Sequence, residues 1–407
     1  MHQIRNKILV IVTTFPSVSE TFILNQITDL IDRGFDVTIF SYNQPNEDIK
    51  HPLFTTYNLK EKTFYHFKNE VGKLEGFFHF LKFILFNIFK IDFSKLTFSQ
   101  QKWKALYDLP IFLLKVKFDI IHCHFGFNGK KIAHLKKLNI IKDEKCVLTF
   151  HGSDLTPSLI EEYKIFYKDV FRFFNAYTVN SPYLESILRK IHPEIVNLHI
   201  LPVGFRKDYL EKTLVTEKKT NPKHIVFCGR LIPIKGPDKA IVILNELVKG
   251  NHNVHLDLIG DGPMKEELVE MVEAFNLKNH ISFHGFLSQN KVFEIMAYSS
   301  IFILPATIEK ETLRAETQGL VIQEAQFFKL PVVVSNIGGI PFGLLDEETG
   351  FLIEQNDINL FVKNISLLID NQNLRLSMGK NGHEFVKERF DSKRLGEHLI
   401  AIFDGLF

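Results

Sequence analysis

The feature that most constrains the fold is an alternation that runs along almost the whole chain. Short β-rich apolar runs are each followed by a loop and then by a stretch of helical periodicity, a pattern that builds parallel sheets with crossover helices in an α/β fold. In a first series, residues 8–12, 37–42, 120–123, 147–150, 177–180 and 200–203 read as strands. In a second, 225–228, 254–259, 281–284, 301–304, 332–335 and 351–353 do so. Helical runs at 265–275 and 291–300 fill gaps in the second series. Between the series, the polar stretch 206–222 has no sustained apolar period and is predicted to be a linker. At 407 residues the chain is too long for one ordinary core. The predicted units are 1–205, 223–385 and a terminal segment 386–407, where Asp391 could cap a helix bearing Leu395, Leu399 and Ile402 on one face.

Composition narrows the class further. With 45% hydrophobic and 24% charged residues the chain is a folded globular protein, and its 40 phenylalanines read as core filling. Cys123, Cys146 and Cys228 sit singly inside apolar runs, with neither paired spacing nor a histidine pattern for zinc. They imply a reducing compartment. The first residues pass quickly into a strand without a long apolar stretch, so a cytoplasmic location is expected. Residues 1–205 carry a net charge of +6 and residues 206–407 one of −4. That split fits an anionic membrane surface or ligand as well as a merely solvated surface, and no nucleic-acid partner is expected.

One segment, 76–93, interrupts the regularity. Its polar members His79, Lys82, Asn87 and Lys90 recur at three to five residues, as on one face of an otherwise apolar helix. A helix over 76–91 would be about 24 Å long, short of the ~30 Å hydrocarbon core, so a membrane span is not expected. Two readings stay open: an insertion helix covering the first sheet, or a contact with a membrane surface or a lipid acceptor.

In open parallel sheets ligands lie beyond the carboxyl ends of the strands, so chemistry should cluster there. GRLIPIKG, 229–236, follows the first strand of the second series and begins at Gly229; Arg230 and Lys235 in that loop could clamp a diphosphate. In AETQGLVIQEA, Gly319, Leu320 and Val321 open a helix whose free N–H groups would face a pyrophosphate. Glu324 could then hold ribose hydroxyls and Glu316 those of a donor sugar. GDGPMK, 260–265, has Gly260 and Gly262 but Lys265 where a dinucleotide fingerprint needs its third glycine. It reads instead as a nucleobase-side loop. In the first series TFHGSD places His151 just past a strand, where it can donate to a sugar oxygen. His122 and His124 share one side of a strand, but without a third ligand they argue for cleft lining by His124 and Gly126 and not for a metal.

In this order, GRLxxxKG, GDGP, the Glu-x7-Glu segment and PVVVSNIGGIP resemble the family-4 retaining glycosyltransferases of GT-B fold, in which two Rossmann-like domains face each other across a cleft. FPSVSETFI, HCHFG and TFHGSDL resemble the branch that builds bacterial exopolysaccharide, colanic-acid-type enzymes included. The resemblance implies that Arg230 and Lys235 neutralise the donor diphosphate, Glu324 holds the ribose, Glu316 positions the transferred sugar and His151 contacts it. It further implies a nucleotide-sugar donor, UDP- or GDP-linked, a saccharide or lipid-linked acceptor, and a terminal helix that returns to the first domain. Acceptor-side candidates are Ser19, Glu20, His124, Gly126 and Asp154. Transfer in this family is described as front-face, with the leaving phosphate helping to deprotonate the acceptor, so no protein nucleophile and no cofactor are implied. No Asp-x-Asp occurs in the chain, and metal independence is the expectation.

The chain departs from the family pattern at Thr317, where Glu-Gly is common, and at Lys329 and Phe342. Its first loop has Ser17, Ser19 and Glu20 in place of paired glycines. A nucleotide-sugar epimerase on the same fold, or a catalytically silent scaffold, are the competing readings; retention of Arg230, Lys235, Glu316 and Glu324 argues against the second.

Overall fold

A computed structural model describes residues 6–17, 20–45, 52–66, 73–95, 99–213 and 223–407. Two parallel sheets form. The first contains β1 (Lys7–Thr14), β2 (Asp36–Asn43), β3 (Thr63–Tyr65), β4 (Ile120–His124), β5 (Lys145–Phe150), β6 (Ala176–Val179) and β7 (Leu198–Ile200), in the order β3-β2-β1-β4-β5-β6-β7. The second contains β8 (His224–Cys228), β9 (His255–Ile259), β10 (Ile281–Gly285), β11 (Ile301–Leu304), β12 (Val332–Ser335) and β13 (Gly350–Ile353), in the order β10-β9-β8-β11-β12-β13. Continuous apolar runs such as ILVIV in β1 are buried because helices cover both faces of each sheet. Strand order reverses direction between β1 and β4 and again between β8 and β11, and these switch points are where an open α/β sheet leaves a crevice.

Several details differ from the sequence reading. The strand expected at 200–203 lies at Leu198–Ile200, since Pro202 has no N–H to continue the ladder. Thr63–Tyr65 adds an edge strand too short to carry a periodic signal. The stretch read as a linker begins with a helix, Lys207–Thr213, whose Leu210 is buried in the core of the second sheet. Its remainder, 214–222, lies outside the described residues.

The terminal helix Ser392–Asp404 packs against helix Thr21–Asp32. Its Leu395, Leu399 and Phe403 join Ile8, Val10, Ile23 and Ile27 in one cluster, each fully buried side chain contributing about 1.5–3 kcal/mol. The chain thus crosses between the two sheets twice at neighbouring points, where Phe205 N–H donates to the Phe390 carbonyl at 3.1 Å and Ser392 N–H to the Phe205 carbonyl at 3.0 Å.

The helix expected over 76–91 breaks early. An α-helix spans Lys73–Phe86, and the Asn87 side chain then donates to the Phe83 carbonyl at 3.0 Å, satisfying a helix-end acceptor. A 3-10 turn Ile88–Lys90 and an antiparallel bridge from Ile91 to Leu114 follow. Phe80 and Ile91 are buried, so the segment does cover the first sheet. Its outer surface is not the polar face expected: beside His79 and Lys82 stand exposed Phe78, Leu85, Phe86 and Phe89. Among the described residues no helix is long and apolar enough to cross a membrane.

Candidate active site

On the second sheet, three loops at the carboxyl ends of β8, β9 and β11 interlock. Gly229 N–H donates to the Ile259 carbonyl and Leu231 N–H to the Asp261 carbonyl, each at 3.0 Å, while Thr307 N–H donates to the Ile234 carbonyl at 3.0 Å. Gly260 and Gly262 lie so close to the backbone of Gly229 and Leu231 that a Cβ at either would run into it. That contact explains both glycines without a dinucleotide fingerprint. The loop they brace holds Arg230 exposed and Lys235 largely buried, with the Lys235 stem against Gly229.

Lys235 and Glu316 form a direct ion pair, arriving from the loops after β8 and β11. Burial pushes the Glu316 carboxyl up, but Lys235 and the backbone N–H groups of Thr317 and Gly319 together outweigh it and hold the group below its usual range. Gly319, at φ +75°, turns the chain into helix Leu320–Phe327. Ile322, Gln323, Ala325, Gln326 and Phe327 are buried in that helix, which leaves Leu320, Val321 and Glu324 on its half-exposed face. Glu324 accepts from the Gln289 amide at 3.4 Å and is pushed up to about 7 by burial. Leu320, Glu324 and Gln289 line one wall of an open crevice; Thr21 and Asn25 of the first domain's helix Thr21–Asp32 line another. The Lys235–Glu316 pair and the start of helix Leu320–Phe327 thus lie together at the carboxyl end of the second sheet, with Glu324 of the same helix on the crevice between the domains, an arrangement that can bind a phosphorylated polyol.

On the first sheet His151 projects from the carboxyl end of β5. His124 Nδ1 lies 3.0 Å from His151 Nε2 with the rings stacked at 5.2 Å, and Phe22 and Phe125 pack on His151 at 4.9 and 4.7 Å. Burial drives the His151 imidazole down to about 3, so it is neutral near pH 7. Glu20 caps the amino end of helix Thr21–Asp32 by position but makes no side-chain cap bond. Burial raises it to about 7, and its Oε2 is enclosed with no hydrogen-bond partner.

Not every expected acceptor-side residue faces the cleft. Asp154 is fully buried, and its carboxylate accepts from the N–H groups of Gly126, Gly152 and His151 at 2.6, 2.9 and 3.1 Å. It is a brace for two loops, and Asx-type bonding to nearby N–H groups is its driving chemistry. Gly126 is buried under Tyr167 and Phe150, where a Cβ would collide with both rings. His124, only 1% exposed, stands behind His151, and both line a crevice with Phe22, Asn25 and Val203. Ser19 lies outside the described residues. No group of residues suited to hold a metal occurs among those described.

Sequence reasoning overlooked the residues that join the halves. Asn180 and Ser181, just past β6, meet Thr317, and Gln318 meets Val203. Asn180 and Ser181 could have been found by the rule that ligating groups follow strands. Thr317 was visible only as a departure from a motif, and Gln318 carried no signal.

Two family models match the sequence: residues 19–206 fit the family described as Glycosyltransferase Family 4, and residues 211–385 fit Glycosyl transferases group 1. WcaL of Escherichia coli (strain K12), named for colanic acid biosynthesis, is 24% identical over 96% of this chain and 98% of its own. The amylovoran biosynthesis glycosyltransferase AmsK of Erwinia amylovora is 27% identical over 84% and 86%. The crystal structure of Anabaena Alr3699/HepE in complex with UDP and glucose superimposes with a TM-score of 0.69 over 98% of this chain and 100% of that one, at 16% identity. The two matched segments, the two facing Rossmann-like sheets and these relatives together make the chain a family-4 glycosyltransferase of the GT-B fold.

Proposed function

We propose that this glycosyltransferase moves a sugar from a UDP- or GDP-linked donor to a saccharide or lipid-linked acceptor of a bacterial surface polysaccharide, with retention of configuration and without a metal. The observation that carries this reading is the Lys235–Glu316 ion pair, with Glu316 held by the Thr317 and Gly319 N–H groups at the turn into helix Leu320–Phe327. Charge develops on the departing diphosphate, and fixed positive groups there are the largest catalytic contribution a protein can make. In this reading Arg230 and Lys235 bind the diphosphate, Glu324 the ribose, and Glu316 with neutral His151 the transferred sugar. Colanic acid and amylovoran are what the relatives' names give, and both support a polysaccharide product.

Incubation of the purified protein with UDP- and GDP-sugars in EDTA, with and without a lipid-linked saccharide extract, tests the reading. Nucleotide release that requires acceptor, and a product with the same anomeric configuration as the donor, supports it; conversion of the donor alone points to an epimerase.

A second observation bears on location. Phe86 and Phe89, 78% and 93% exposed, stand beside Lys82 and Lys90. Aromatic rings with flanking lysines suit an anionic bilayer surface, where a lipid-linked acceptor would reside.

A further inference from the structure

Thr317 is where the two domains meet through a single side chain. Its hydroxyl donates to the His151 carbonyl at 3.3 Å and accepts from the Asn180 amide at 3.2 Å. Its carbonyl accepts from the Ser181 hydroxyl at 2.5 Å. The Thr317 methyl sits so near Gly152 that a Cβ there would run into it. On either side of Thr317 in sequence, Glu316 pairs with Lys235, and Gln318 exchanges two hydrogen bonds with the Val203 backbone, accepting at 2.8 Å and donating at 2.7 Å. The Glu316 carbonyl is held in turn by Gly339 N–H at 2.8 Å. A glycine at 317 would keep the carbonyl bond to Ser181 and lose both the hydroxyl and the methyl.

We propose that Thr317 is a positioning residue that keys the backbone of His151 to Glu316 when the two domains close. The Thr317 side chain then fixes the approach of the His151 backbone to Glu316, beside the bonds by which Ser181 and Gln318 join the same halves. The inference rests on the assignment of His151 and Glu316 to the transferred sugar. Catalytic groups on separate domains act together only when held within a fraction of an ångström, and a misplacement of about 1 Å costs on the order of 10²-fold in rate. Arg230, Lys235 and Glu324 all lie on the second domain, so donor can bind without this contact. Loss of the Thr317 hydroxyl is therefore felt in kcat more than in KM for donor.

Three variants of the full chain separate the contributions: Thr317→Val keeps the methyl and removes the hydroxyl, Thr317→Ser does the reverse, and Thr317→Trp wedges the interface. Each is measured by steady-state kinetics on a UDP- or GDP-sugar that the wild type turns over, and by small-angle X-ray scattering. Expected are a kcat at least about 10-fold lower for Thr317→Val with donor KM within about twofold, near wild-type kcat for Thr317→Ser, and a larger radius of gyration for Thr317→Trp. Wild-type kcat in Thr317→Val, an equal loss in Thr317→Ser, or a Thr317→Trp scattering curve that superimposes on the wild type would overturn the proposal. If the wild type turns over no nucleotide sugar, the assignment of donor and acceptor fails; the scattering of Thr317→Trp still decides whether Thr317 sits at a closing interface.

Discussion

Lys235 and Glu316 come from loops 81 residues apart and meet as an ion pair whose side chains are 18% and 13% exposed. A pair this well shielded is costly to break from one side, because the remaining charge is left in a part-dry site. On the proposed role, the lysine exchanges its carboxylate partner for phosphate, or shares itself between them, when a donor diphosphate binds. Lys235→Ala is expected to lower kcat/KM by about 10²-fold or more, from one charge-assisted contact removed. Steady-state assays on the donor that the wild type accepts provide the check.

Glu324 gives a pH signature. Burial raises its carboxyl to about 7 from an ordinary 4.5, so the protonated form is favoured in the fold. The sign of the linkage follows: stability from this group is fully present below about pH 4.5 and is lost as pH rises through about 7. Glu324→Gln should accordingly melt higher than the wild type at pH 8 and show little difference at pH 4.5. If its carboxylate accepts from ribose hydroxyls, nucleotide affinity in the wild type also strengthens from pH 6 to 8, and titration calorimetry of the Gln variant should show that trend flattened.

Asp154 tests the division between brace and binding group. Asp154→Ala would strand three backbone N–H groups in a buried setting, each costing about 1–3 kcal/mol. A stability loss of about 3 kcal/mol or more by urea denaturation is expected. A variant of wild-type stability that had lost only acceptor affinity would return Asp154 to the cleft.

The exposed aromatic surface makes a separate prediction. Phe86→Ser combined with Phe89→Ser should weaken co-flotation with vesicles containing anionic lipid, with the melting temperature unchanged within about 2 °C, because neither ring is part of the core. Phe83 is unsuited to this test, since it packs against the first domain's core. Equal flotation of variant and wild type would leave the segment a cover for the sheet.

Much of this architecture is written in strand-length apolar runs, and nearly all of the strands can be placed from them. Thr63–Tyr65 could not be, because three residues at a sheet edge carry no period, and Leu198–Ile200 was displaced because Pro202 ends a ladder that hydropathy alone would extend. In the second domain Arg230, Lys235, Glu316 and Gly319 sit in strand-end loops and Glu324 in the helix that follows, positions that spacing along the chain makes legible. The first domain's half was less legible. Asp154 and Gly126 lie just past their strands as expected, yet whether each faces the cleft depends on partners elsewhere in the fold, such as Tyr167 over Gly126 and the three N–H groups around Asp154. The bonds of Thr317 and Gln318 arise only from the approach of two separately folded sheets, a relation that periodicity does not encode.

The central claim is a nucleoside-diphosphate site built on Lys235, and thermal unfolding of the wild type and Lys235→Ala with UDP, GDP, ADP or dTDP in EDTA tests it most directly. Ligand that binds only the folded state raises the melting temperature by mass action. The account predicts that UDP or GDP alone stabilises the wild type without metal and that Lys235→Ala loses most of that shift. No stabilisation by any of the four, or an equal shift in both proteins, would contradict it.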